Sequence, residues 1–313
     1  MAGRRGRGDR IDGRVRPAQV NRATPAEMRS RSRGRVATCI DAGLGTASVM
    51  KETVIKELRS IESEAHVRVL LAVESGSRAW GFASPNSDYD VRFIYVHEPN
   101  WYSTIFEGRD VIEKMLPGDL DVSGWELRKS LRLFSKCNLA LNEWIGSPLL
   151  YQEAPGFRSE LSTLIPAFFN PLGATHHYKS MAKQALSSMA PDGRISIKKF
   201  LYATRALMAC RWIERYQSQP PTEFLAMVRN LGSANERSQI EQLVLQKSSV
   251  DEKASIVIDE LRSAEIQSEL DAFDGADLAF EKPARSTLEK LDTVLRRWAG
   301  IGSAQTKLPT VSS

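Results

Sequence analysis

The sequence predicts a mixed α/β unit followed by a run of helices. Three observations carry this reading. Short β-branched runs alternate with helix-periodic segments up to about residue 150. Beyond Pro155 the chain changes to amphipathic segments punctuated by Pro and Gly. The length of 313 residues suits two domains or one large one. The expected boundaries are a disordered Arg-rich tail at 1–36, an α/β domain at 37–155, an all-α domain at 156–300 and a second disordered tail at 301–313.

The elements follow in order. Val54, Ile55, Leu58 and Ile61 have helical spacing within 50–65. The run "VRVLLAV" (67–73) is a buried strand, and a turn bearing Gly76, Ser77 and Gly81 follows. "YDVRFIYV" (89–96) is a second strand and "LDVSG" (120–124) a third, ahead of a helix over 125–138. From Pro155 to Gly300 every periodic segment reads as helix, including the whole of 251–273.

Hydrophobic content of 42% and charged content of 26% fit a soluble globular chain. The net charge of +5 is unevenly spread. Residues 1–36 hold eleven Arg, no Lys and three acids, a balance of +8 that leaves −3 on the rest. Such an arm suits phosphate contacts with nucleic acid, a transit-like segment or a plain extension. No apolar run is long enough to span a bilayer. Cys39, Cys137 and Cys210 are few and far apart, which argues against a disulfide framework and for the cytoplasm.

Residues 74–93, "ESGSRAWGFASPNSDYDVRF", hold the candidate chemistry. Alternation along a strand puts Asp88 and Asp90 on one face. Two carboxylates so close stay ionised together when a cation lies between them, and Mg²⁺ or Mn²⁺ with oxygen ligands fits. Gly76 and Ser77 follow the first strand, where backbone amides and a hydroxyl can cradle phosphate oxygens. Asp121, between buried Leu120 and Val122, is the expected third carboxylate of a metal site. A P-loop, a dinucleotide fingerprint and an EF-hand are all absent from this stretch.

Supporting groups are expected from one helix and one turn. Lys198, Tyr202 and Arg205 lie at i, i+4 and i+7, a stripe able to bind triphosphate oxygens and stack a base, or simply a solvated face. Arg78, inside the turn, is a candidate phosphate contact. Arg128 and Arg132 read as the polar side of a plain amphipathic helix.

Together, "GSRAWGFASPNSDYDVRFIYV", "LDVSGWELRKSLRLFSKCN", "NEWIGSPLLY" and "KKFLYATRALMACRWI" resemble the RlaP-like predicted nucleotidyltransferases of the DNA polymerase β superfamily, over about 67–225. The resemblance implies a small mixed sheet flanked by helices and a helical region after it. It implies transfer of a nucleoside monophosphate from an NTP, such as ATP, with release of pyrophosphate. Asp88, Asp90 and Asp121 would hold metal, Asp121 would help deprotonate the acceptor hydroxyl, and Gly76 and Ser77 would grip the triphosphate. The implied acceptor is RNA or tRNA. The same carboxylates would serve an adenylyltransferase acting on a protein or a small molecule, and the scaffold would also suit a non-catalytic nucleotide- or RNA-binding protein.

Overall fold

The computed structural model describes residues 48–249, 254–275, 278 and 280–302. The expectations for the Arg-rich arm at 1–36, and for the tail beyond Gly302, lie outside these residues. Helix α1 (48–65) buries Val54, Leu58 and Ile61, the row its periodicity predicts. His66 then takes a positive φ of 51° and turns the chain into β1 (Val67–Glu74), which is buried along nearly its whole length. Apolar side chains on both faces are what an inner strand requires.

β2 (Tyr89–His97), β3 (Val111–Leu116), β4 (Leu120–Glu126) and β5 (Leu150–Glu153) complete a five-stranded mixed sheet of order β3-β4-β2-β1-β5. β2 and β4 are parallel, and the other neighbours are antiparallel. That single parallel pairing matters for function. β3 runs back along the edge, and the chain reverses at Gly118 and Asp119, both at positive φ. β4 therefore enters beside β2 in the same direction. Asp119 belongs to this turn, which leaves Asp121 as the strand carboxylate.

Two apolar clusters hold the described residues from Thr53 onward. One lies under the sheet. It joins Leu71, Val73, Ile94 and Val96 to Leu127 and Phe134 of α3 (Leu127–Phe134), Trp144 of α4 (Leu139–Gly146), Phe157 and Leu161 of α5 (Phe157–Phe168), and Leu291 and Val294 of α11 (Arg285–Ala299). This core crosses the boundary expected at 155/156, because α5 and α11 pack with the sheet. The other surrounds α7 (Ile197–Tyr216), with α6 (Pro171–Leu186), α8 (Phe224–Leu231) and Phe82.

The helical half is not wholly helical. β6 (Arg194–Ser196) pairs antiparallel with β7 (Ser255–Val257), so the helix expected over 251–273 begins only at Glu260, the first residue of α10 (Glu260–Ala272). The reason is local. β-branched Ile256 and Val257 favour extended backbone, and the Asp259 carboxylate caps the helix by accepting from the Arg262 amide at 2.7 Å.

Candidate active site

Asp90 on β2 lies directly beside Asp121 on β4 in the parallel register. One guanidinium joins them. Arg92 Nη2 donates to Asp90 Oδ1 at 3.1 Å and to Asp121 Oδ2 at 2.8 Å. Its Nη1 donates to the Asp121 carbonyl at 3.2 Å and to the Val91 carbonyl at 3.1 Å. Strand alternation puts Arg92 on the face of Asp90, and the β2–β4 register brings Asp121 within its reach. The side chains are partly exposed, 20% for Arg92 and 33% for each acid. Solvent and other molecules can reach them.

The backbone of Asp90 is pinned from β1. Its amide donates to Glu74 Oε1 at 2.9 Å, and its carbonyl accepts from the Ser75 amide at 2.8 Å. Glu74 is fully buried and also accepts from the Tyr151 hydroxyl. Burial pushes its carboxyl above the ordinary range, and the Tyr151 and Asp90 hydrogen bonds pull it back. Gly76 follows with φ +60°, and a Cβ there would stand 2.3 Å from Asp90 Oδ2. Only glycine lets the chain pass so close to the acid. It opens a five-residue helix, α2 (Gly76–Trp80), in which Ser77 is buried. The sequence reading expected a turn at this point.

Asp88 stands one residue ahead of β2 and is exposed. Arg78 shapes its loop, donating from Nε to the Asp88 carbonyl at 3.0 Å and from Nη2 to the Ser87 carbonyl at 2.6 Å. The same guanidinium lies 3.6 Å from the centre of the Tyr89 ring. Arg78 is therefore a brace for the loop that carries Asp88. Burial pushes the Asp90 carboxyl up; Arg92 pulls it down, Asp121 and Asp88 push it up again, and Lys198 lowers it. Asp88 and Lys198 are thus electrostatic neighbours of Asp90.

Among the stripe on α7, Lys198 and Tyr202 are half-buried. The Tyr202 ring packs on Trp80 and Phe82, at 5.0 and 5.8 Å between centroids. Arg205 corrects the expectation of a nucleotide ligand. It is 2% exposed, and its Nη2 donates to Glu143 Oε1 at 2.8 Å. Glu143 also accepts from the Tyr178 hydroxyl and from Trp80 Nε1, each at 3.0 Å. Helical spacing identifies a stripe but not its burial, and α7 is buried on more than one side. Arg205 ties α7 to α4, α6 and α2. Arg132 is paired with Glu107 at 2.9 Å, as a plain helix face would be.

Among the described residues no three His, Cys, Asp or Glu side chains are gathered closely enough to hold a metal ion. Two acids, Asp90 and Asp121, do converge. Their hard oxygen donors suit a Mg²⁺ that completes its shell with substrate phosphates.

The family described as the RNA repair pathway DNA polymerase beta family, RlaP, matches residues 50–297. The chain belongs to the RlaP family. A Bacillus subtilis (strain 168) relative, the uncharacterised protein YcgL, is 40% identical over 262 residues, which are 81% of this chain and all of that one. A nucleotidyltransferase-like protein from Exiguobacterium sibiricum 255-15 aligns over 78% of each chain at 12% identity, with a TM-score of 0.26 that decides nothing about the fold. As an RlaP member the chain is nucleotidyltransferase-like. Among the described residues no helix is long and apolar enough to cross a membrane.

Proposed function

We propose that this RlaP protein transfers a nucleoside monophosphate from an NTP to the hydroxyl of an RNA end, with Mg²⁺ or Mn²⁺. The observation that carries the reading is the side-by-side register of Asp90 and Asp121 on parallel strands beside Gly76. The RNA repair pathway in the family's description supports an RNA acceptor.

Asp90, Asp121 and Asp88 would hold the metal, which when bound neutralises phosphate charge and lowers the pKa of the attacking hydroxyl. By the family resemblance, Asp121 would also help to deprotonate that hydroxyl. Asp90 is the fixed point, because Glu74 and Ser75 hold its backbone. Gly76 and Ser77 bring the chain close to the triphosphate oxygens. Lys198 adds positive charge from α7, and Tyr202 offers an aromatic edge at the start of the same helix.

The direct test incubates the protein with each labelled NTP, Mg²⁺ or Mn²⁺ and RNA oligonucleotides. Monophosphate incorporation is expected with wild type and is lost in Asp90→Asn. Equal incorporation in both would remove the mechanism. A second reading is a non-catalytic nucleotide or RNA binder on the same scaffold, favoured by a guanidinium, rather than a third acid, lying between Asp90 and Asp121. Nucleotide binding with no incorporation onto any RNA, protein or small-molecule hydroxyl would support it.

A further inference from the structure

Arg92 lies between the two acids of the candidate site, and the proposed reaction gives it no part. It stands on the face of Asp90, and a single nitrogen, Nη2, bonds both carboxylates. The carboxylates belong to residues held opposite one another by the β2–β4 ladder, so their backbones stay side by side whatever the side chains do. Two ionised acids at that spacing repel. A guanidinium stays charged at every pH at which a protein folds, so Arg92 relieves the repulsion by position, never by proton exchange. One arginine against two acids leaves a residual negative charge at the pair, and Asp88 adds to it from the strand mouth.

We propose that Arg92 is an exchangeable counter-cation. Its guanidinium holds the position between Asp90 and Asp121 that a divalent cation takes, and it must swing away for that cation to bind. The proposal rests on the metal-dependent reading above and deepens it. The side chain is equipped to leave. It is partly exposed, and its other contacts are single hydrogen bonds to the Val91 and Asp121 carbonyls. The main chain beneath stays in the ladder, where Arg92 pairs with Ser123.

The chemistry also names what receives the released charge. Triphosphate oxygens are strong acceptors for a planar guanidinium. A nucleotide arriving with its metal therefore offers Asp90 and Asp121 a better cation and Arg92 a better anion. Metal and triphosphate should accordingly bind cooperatively, and the metal alone should bind weakly, because it must break charge-assisted hydrogen bonds to enter.

Mn²⁺ binding to the full-length protein, followed by electron paramagnetic resonance and by thermal shift, tests this apart from activity. Arg92→Gln should bind Mn²⁺ without nucleotide on the order of tenfold more tightly than wild type, the effect of losing one charge-assisted competitor. Its melting temperature without metal should fall, and Mn²⁺ should raise it by more than in wild type. A non-hydrolysable triphosphate should tighten Mn²⁺ binding strongly in wild type and less in Arg92→Gln. Equal or weaker Mn²⁺ binding by Arg92→Gln would overturn the proposal, since Arg92 would then be support for the acids and not their competitor. Should that variant not fold, Arg92→Lys replaces it. Lysine keeps the charge but loses the fork, so tighter binding than wild type is expected, and equal or weaker binding overturns the idea. If wild type and variant both fail to bind Mn²⁺ with or without the triphosphate, the metal reading itself falls and takes this proposal with it, an outcome distinct from equal binding.

Discussion

Two arginine–carboxylate clusters in this molecule use the same groups toward opposite ends. At the β2–β4 pair one guanidinium faces two acids, and all three side chains are partly exposed. At the α4–α7 contact one guanidinium faces one acid; Arg205 is 2% and Glu143 12% exposed, with Tyr178 and Trp80 completing the acid's hydrogen bonds. The second cluster is closed in charge and shielded from water. The first is one positive charge short and open. A buried, balanced pair has nothing left to give a ligand and serves the fold, whereas an open pair with excess negative charge has both room and need for a cation.

Breaking the comparison should therefore give opposite signatures. The largest effect is expected for Asp121→Asn, which should reduce nucleotidyl transfer about a thousandfold, the equivalent of several kcal/mol of lost metal-derived stabilisation. Its urea midpoint should stay close to that of wild type. Loss of stability with retained transfer would reverse the assignment of the two clusters.

The mirror image is Arg205→Ala. It leaves Glu143 buried without its ion partner and should cost about 3–5 kcal/mol of stability in urea unfolding. The refolded fraction should keep its transfer activity per folded molecule. A variant with wild-type stability and impaired triphosphate binding would return Arg205 to the site.

Gly76→Ala sharpens the account at the point where α2 meets Asp90. The φ of +60° and a Cβ 2.3 Å from Asp90 Oδ2 should cost roughly 1–2 kcal/mol for the left-handed backbone. Displacement of Asp90 should lower transfer as well. Unchanged transfer would mean that the acid's position is not critical.

These contrasts also explain what the sequence could and could not tell. Asp90 and Asp121 are each legible as a carboxylate in an apolar strand, but alternation relates residues of one strand only, and the parallel β2–β4 register is what sets the two side by side. Arg92 obeys the same alternation, but an arginine in an apolar strand does not announce a partner 29 residues later. Arg205 was misread for a related reason: its acid, Glu143, is 62 residues away in α4, and helical spacing carries no information about that. Glu74 carries a signal of its own, a carboxylate ending a strand that is apolar but for Arg68. β3 and β5 are not legible because short strands of mixed polarity owe their form to pairing partners, and β6 and β7, three residues each, are too short to show a period of two against the helical segments around them.

The smallest effect concerns Glu74. Its raised pKa means that the folded state binds this proton more tightly than the unfolded chain does. Its contribution to stability is therefore fullest at low pH and is lost as pH rises through the raised value. Glu74→Gln should flatten that fall in the window just above the ordinary carboxylate range, measured as urea midpoints against pH. An unchanged slope would place the buried charge elsewhere.

The most direct measurement is Mn²⁺ electron paramagnetic resonance in the presence of a non-hydrolysable NTP, comparing wild type with Asp121→Asn. Wild type should hold the ion with the nucleotide, and Asp121→Asn should bind it at least about tenfold more weakly. Equal affinity in the two proteins would show that the paired acids of β2 and β4 are not the cation's seat.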